Sequence, residues 1–203
     1  MYKNLLSTLL KVSSIELTED RKTKVQPLLT YIQDKVSTKQ PIRLTFICTH
    51  NSRRSHLTQI WAQALAFHYG LNSIQCYSGG TEVTALFPKV VDTLLAQGFK
   101  IEQLSSSNNP VYAIKFDENA LPIIGFSKTF DDFFNPASHF AALMTCSSAD
   151  EGCPFIAGAE VRIPLRYEDP KLFDGTDLME EKYSERSLEI AADMNYIFSQ
   201  IKQ

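Results

Sequence analysis

Cys48, Arg54 and the residues between them read CTHNSRR, a segment composed like a trap for a small oxyanion. The apolar run Ile42-Arg43-Leu44-Thr45-Phe46-Ile47 leads into it, and a helix-like pattern begins near Ser55. A strand that hands a cysteine to a short loop, and the loop to a helix, aims successive backbone N–H groups and the positive end of a helix dipole at one point. That field favours a thiolate at Cys48, and an ionised thiol is a strong nucleophile. Arg54 offers a planar fork for two oxygens of a tetrahedral anion. Thr49, His50, Asn51, Ser52, Arg53, Arg54 and Ser55 are the candidate oxyanion-binding residues. Within them Asn51 can fix the loop through its side-chain amide, Ser55 can donate to the thiolate, and His50 and Arg53 can add charge. The competing reading is a buried structural cysteine with Arg54 on a solvated helix face. The coincidence of strand, spacing and helix favours the site, and phosphate and arsenate are the ions that fit it.

Two more thiols lie on one short segment, Cys146-Ser147-Ser148-Ala149-Asp150-Glu151-Gly152-Cys153-Pro154. It follows a predicted strand, which brings it to the sheet edge where Cys48 is expected, and two cysteines so placed can pass a disulfide along. Zinc is a rival reading, but tetrahedral sites usually want a closer pair and a matching partner pair. Two unrelated structural cysteines are the other alternative. Glu168-Asp169-Pro170 ends a further predicted strand, where Asp169 can serve as general acid beside a proline-stiffened turn. An ordinary helix-leading turn is the plainer reading of the same residues. Cys76, inside a predicted strand, reads as a buried small hydrophobe and His68 as core, while His56 and His139 show no partner.

The elements that must position these residues follow from periodicity. Met1 to Ser14 reads as a surface helix rather than a signal peptide, because Ser7, Thr8 and Lys11 interrupt its leucine pairs. Leu17 to Val36 reads as an amphipathic helix started by Thr18-Glu19-Asp20, which Pro27 either kinks or shortens. Pro41 ends that pattern. Strands are predicted at Ile42 to Ile47, Ile74 to Ser78, Phe140 to Thr145 and Val161 to Leu165, and helices at His56 to Tyr69, Pro88 to Ala96 and Glu180 to Ile201. This alternation predicts a three-layer α/β fold, a four-stranded parallel sheet covered on both faces, with chemistry at the carboxyl ends of its strands. Residues 1–40 are then an N-terminal helical extension and 41–203 the α/β domain. Residues 105–139 break the alternation and read as an inserted β-hairpin, Val111 to Phe116 and Pro122 to Phe126, packed by Phe130, Phe133 and Phe134.

At 203 residues and a formal net charge of −3, one domain with additions suffices, and nothing in the charge pattern asks for nucleic acid. No stretch approaches the roughly 18 apolar residues a membrane helix needs. Four cysteines in a chain of this size do not make a secreted disulfide scaffold and point to a cytoplasmic setting with reactive or metal-binding thiols.

Taken together, CTHNSRRS, Tyr77-Ser78-Gly79-Gly80-Thr81-Glu82, the Cys146 to Cys153 segment and Asp169-Pro170 resemble the thioredoxin-coupled arsenate reductases, which share the fold of the low molecular weight protein tyrosine phosphatases. The likeness covers roughly 42–102 and 140–200. It implies Cys48 as the thiolate that attacks arsenate, Arg54 as the oxyanion clamp, Asp169 as the acid, Cys146 as the second thiol and Cys153 as the third. It implies thioredoxin as electron donor and no cofactor. Two departures stand out: His50 occupies a position usually held by glycine, where an unusual backbone conformation is expected, and Arg53 stands where many members have cysteine. A phosphatase using Cys48, Arg54 and Asp169, with Cys146 and Cys153 as bystanders, is the chief rival function. Lys171 and Leu172 after Asp169-Pro170, in place of the tyrosines such enzymes typically carry, weigh against an aromatic phosphoester. A non-catalytic oxyanion or redox sensor is the third reading.

Overall fold

A computed structural model describes residues 1–152 and 155–203. Four parallel strands form the central sheet: β1 (Ile42–Cys48), β2 (Ile74–Gly80), β6 (Phe140–Met144) and β7 (Ala159–Pro164), in the order β2-β1-β6-β7. The register aligns the carboxyl ends, pairing Cys48 with Gly80, Ile47 with Met144 and Met144 with Pro164. The core divides along β1. Leu44 and Phe46 join the larger cluster with α3 (Arg54–His68) and α6 (Met179–Ser199), whereas Ile47 and Cys48 join a smaller one with Cys146, Ala149 and Ile156.

The helices before the sheet bury one stripe each into the larger cluster. In α1 (Lys3–Ser13) the stripe is Leu5, Leu9 and Val12, so the expected surface helix keeps only its outer face in water. Gly98 permits its approach: it sits at φ +103°, and a Cβ there would come within 2.3 Å of the Leu5 backbone nitrogen. Next, α2 (Glu19–Ser37) begins where Thr18 accepts a hydrogen bond from the Arg21 N–H, with Glu19 and Asp20 in the first turn. It runs through Pro27 without ending, because burial of Val25, Leu28 and Ile32 outweighs the one lost backbone bond. Arg21 reaches across to the Asp193 carboxylate on α6, lies 4.6 Å from the Tyr167 ring centre, and the Tyr167 hydroxyl donates to the same carboxylate at 2.7 Å.

After α4 (Pro88–Ala96) the expected hairpin is present as β4 (Tyr112–Lys115) and β5 (Ile123–Gly125), but it is part of a larger element. A further strand, β3 (Lys100–Gln103), pairs antiparallel with β4 to make a three-stranded sheet. Only Ile101 of β3 is even half-buried, so no apolar alternation announces it. The expectation that Phe133 and Phe134 pack the insert is corrected: Phe133 is 96 % exposed, and Phe134 is 41 % exposed while meeting Phe126 edge-on. His68 is also exposed, since its position falls on the outer turn at the end of α3. No helix among the described residues is long and apolar enough to cross a membrane.

Because Leu28 is completely buried, Leu28→Ala is expected to cost about 2–5 kcal/mol of stability, read as a lowered denaturant midpoint at unchanged slope.

Candidate active site

The loop from Cys48 to Arg54 is defined by where its carbonyls go. The Cys48 carbonyl accepts from the Thr81 N–H at 3.2 Å, Thr49 from the Glu82 N–H at 2.8 Å, and Ser52 from the Phe87 N–H at 3.0 Å. The His50 carbonyl accepts from the hydroxyls of Ser127 at 2.9 Å and Thr84 at 3.0 Å. With these oxygens turned outward, the backbone N–H groups of residues 49–53 donate to no described residue and are left for a ligand. Gly80 makes the wrapping possible, since a Cβ there would meet the Thr49 carbonyl oxygen at 2.6 Å and the Asn51 nitrogen at 2.7 Å.

Reversal of the loop falls on Asn51, at φ +44°, and not on His50 as expected from the missing glycine. Asparagine tolerates this left-handed conformation, and its buried side chain is held at both ends. The amide donates to Ser55 Oγ at 2.9 Å and its oxygen accepts from the Lys128 N–H at 3.0 Å. Ser55 Oγ in turn lies 3.1 Å from Cys48 Sγ. His50 points away from this chain, its Nε2 being 3.4 Å from Glu82 at the rim.

The two arginines diverge. Arg54 donates to the Tyr167 carbonyl at 3.1 Å and to Asp169 Oδ2 at 2.6 Å. Arg53 turns outward to Asp174 and Tyr183, over the Phe87 ring at 3.9 Å from its centre, so that its backbone N–H is what faces the loop. Cys146 is 1 % exposed, with its sulfur 3.5 Å from Thr49 Oγ1 and accepting from the Ala149 N–H at 3.3 Å. It begins the short helix α5 (Ser147–Gly152), which Asp150 fastens to Arg162 and Arg166. Cys153 lies outside the described residues. Cys76 is buried in β2, and that burial pushes its thiol well above the ordinary range, as suits an unreactive group.

Sequence reasoning missed what stands behind the loop. His56 is fully buried with Nδ1 3.3 Å from Ser78 Oγ; burial first, then the Lys128 charge, hold it well below its usual pKa, so it is neutral. Lys128 is 2 % exposed, its ammonium 4.5 Å from the Phe126 ring centre. No motif marks a lone lysine in an insert. Desolvation lowers it to about 8, against a smaller opposing pull from Asp132. No group of three or more potential metal ligands occurs among the described residues.

Two outcomes follow from this geometry. Gly80→Ala drives a methyl into the loop backbone and is expected to cost about 1–3 kcal/mol of stability and to weaken phosphate binding measured by calorimetry. For Lys128, the folded pKa lies below the unfolded value, so the unfolded chain binds more protons between about pH 8 and the ordinary lysine value of 10.5, and stability rises with pH across that window. Denaturant titrations should show this rise in the natural protein and its loss in Lys128→Met.

The model of the low molecular weight phosphotyrosine protein phosphatase family matches residues 43–119, which hold the loop and the β2 end that wraps it. An arsenate reductase of Staphylococcus epidermidis is 26 % identical over 127 residues, 62 % of this chain and 76 % of the relative. Among solved structures, a low molecular weight phosphotyrosine phosphatase from Vibrio cholerae O395 superposes with a TM-score of 0.52 at 16 % identity, covering 78 % of this chain and 94 % of that one. An arsenate reductase in its phosphate-binding state gives 0.50 at 18 % identity, covering 79 % and 99 %. At such identities the superpositions establish the fold, and the family model reaches residues 43–119. The chain thus has the fold of the low molecular weight phosphotyrosine phosphatases, and its segment 43–119 is similar to that family.

Proposed function

We propose that this protein reduces arsenate to arsenite through a relay of cysteines, and that thioredoxin restores it. The observation carrying this reading is the position of Cys146: its sulfur touches Thr49, the neighbour of Cys48, and both thiols share one buried cluster. A phosphatase has no use for a second thiol there. Cys48 attacks arsenic, forming an S–As bond as an As–O bond breaks. The leaving oxygen keeps the bonding pair, takes a proton from Asp169 in its acid form, and departs as water. Arg54 exchanges its Asp169 partner for the arriving oxyanion, which frees that carboxyl for the step. The thiolate of Cys146 then attacks the Cys48 sulfur; the S–As pair stays with arsenic, which leaves as arsenite, and a Cys48–Cys146 disulfide remains.

Cys153 attacks Cys146, regenerates the Cys48 thiolate and leaves a Cys146–Cys153 disulfide for thioredoxin. A six-residue helix such as α5 spans about 9 Å. Pairing Cys146 with a thiol beyond its end therefore requires α5 to unwind and Asp150 to leave its arginines. Such a cycle belongs in a reducing cytoplasm. Leu172, 75 % exposed beside Asp169-Pro170, offers no ring to stack on an aromatic ester.

Arsenate consumption coupled to thioredoxin and its reductase tests the reading. Turnover is expected in the natural protein, none in Cys48→Ser, none in Cys146→Ser, and loss of thioredoxin recycling in Cys153→Ser. Hydrolysis of an aryl phosphate that survives loss of Cys146 and Cys153, without arsenate turnover, would establish the phosphatase instead. A conformational change on oxidation with neither activity would identify a sensor.

A further inference from the structure

Arg53 and Arg54 are adjacent in sequence, yet they grip the two ends of a single turn. That turn is the 3-10 segment Pro170–Phe173, with Asp169 before it and Asp174 after it. Asp169 Oδ1 accepts from the Lys171 N–H at 3.1 Å, and the Asp174 N–H donates to the Lys171 carbonyl at 3.0 Å, so the turn moves as one piece. Arg54 holds the Asp169 end at 2.6 Å. Arg53 holds the Asp174 end, also at 2.6 Å.

The Asp174 end is fixed more completely. Tyr183, fully buried on α6, donates its hydroxyl to Asp174 Oδ1 at 2.6 Å and accepts from Arg53 Nε, closing a three-membered ring of hydrogen bonds. Burial first, then the Asp174 carboxylate, push the Tyr183 phenol up, so it stays a donor. The Phe87 ring lies under the Arg53 guanidinium, 5.8 Å from the Tyr183 ring, while the Phe87 N–H holds the Ser52 carbonyl of the loop. When an oxyanion takes Arg54, the Asp169 end loses the one ion pair it makes among the described residues, whereas the Asp174 end keeps its contacts to Arg53 and Tyr183.

We propose that Arg53, Asp174 and Tyr183 form a strut whose role is to position Asp169, keeping the acid at its working distance after Arg54 has been claimed by the bound anion. They are positioning residues and touch no reacting atom. The charge of Arg53 thus serves the acid turn and not the anion. This inference rests on Asp169 being the acid of the proposed reaction.

If the strut works this way, its loss resembles a partial loss of Asp169 and leaves the anion loop intact. The test uses the full chain and the variants Asp174→Asn, Tyr183→Phe and Asp169→Asn. Phosphate affinity by calorimetry should stay within about twofold in Asp174→Asn and Tyr183→Phe. Their kcat for arsenate reduction should fall roughly ten- to a hundredfold with little change in KM, the scale of a misplaced catalytic group. If the protein hydrolyses aryl phosphates, the loss should be large for poor leaving groups and small for good ones, following Asp169→Asn, because only a poor leaving group needs the proton. Equal losses across leaving groups, or kcat unchanged, would overturn the strut.

Amide hydrogen exchange needs no activity and decides the matter separately. In the phosphate-bound protein, Asp174→Asn should speed exchange over 168–175 and leave 48–54 unchanged; unaltered exchange over 168–175 overturns the inference. Should the natural protein show neither arsenate turnover nor ester hydrolysis, the proposed reaction fails while the exchange result still tells whether the strut holds the turn.

Discussion

A backbone that turns its carbonyls outward governs everything else here. Five successive amides can converge on an anion only if the oxygens between them are satisfied elsewhere, since an unpaired buried carbonyl is costly. Thr81, Glu82, Thr84, Phe87 and Ser127 supply that satisfaction, and all five lie on segments remote in sequence from the loop. The close packing of Gly80 against Thr49 and Asn51 lets the wrapping segment come near enough. The candidate anion site is therefore a property of two sets of contacts, one at β1 and α3 and one folded around them.

The same economy extends to the groups proposed to act on a bound anion. Each arrives at the carboxyl end of a different parallel strand: Cys48 from β1, Cys146 from β6 and Asp169 beyond β7. Parallel register makes this unavoidable once the strands pair, because every strand ends on the same edge. The elements added to the sheet then reinforce that edge. From α2, Arg21 braces Tyr167 and Asp193 beside the turn that carries Asp169, and the insert presses Lys128 and Ser127 against the back of the loop. Lys128 is an unusual brace, a buried ammonium held by aromatic faces and adjoining a histidine that burial first, and the lysine's charge second, keep neutral.

The proposed reductase chemistry and its rival, ester hydrolysis, would place different mechanical needs on this edge. Anion binding asks for rigidity, which the buried Asn51–Ser55–Cys48 chain provides. Disulfide relay asks for a segment that can rearrange, and α5 is short and fastened chiefly through one carboxylate, Asp150.

Much was legible in the residues themselves. The parallel strands and their helices follow from apolar periodicity, and the loop from a cysteine, an arginine and their spacing, because these are local properties of the chain. Other features depend on residues that meet only after folding. Asn51, not His50, takes the left-handed turn, since the choice is set by the side-chain bonds Asn51 makes to Ser55 and Lys128. β3 exists because β4 offers it an edge, with scarcely any burial of its own. The separate tasks of Arg53 and Arg54 cannot be read from two identical letters side by side. Their divergence is decided by Asp174 and Tyr183 on one hand and Asp169 on the other, partners more than a hundred positions away that the sheet brings within hydrogen-bonding reach.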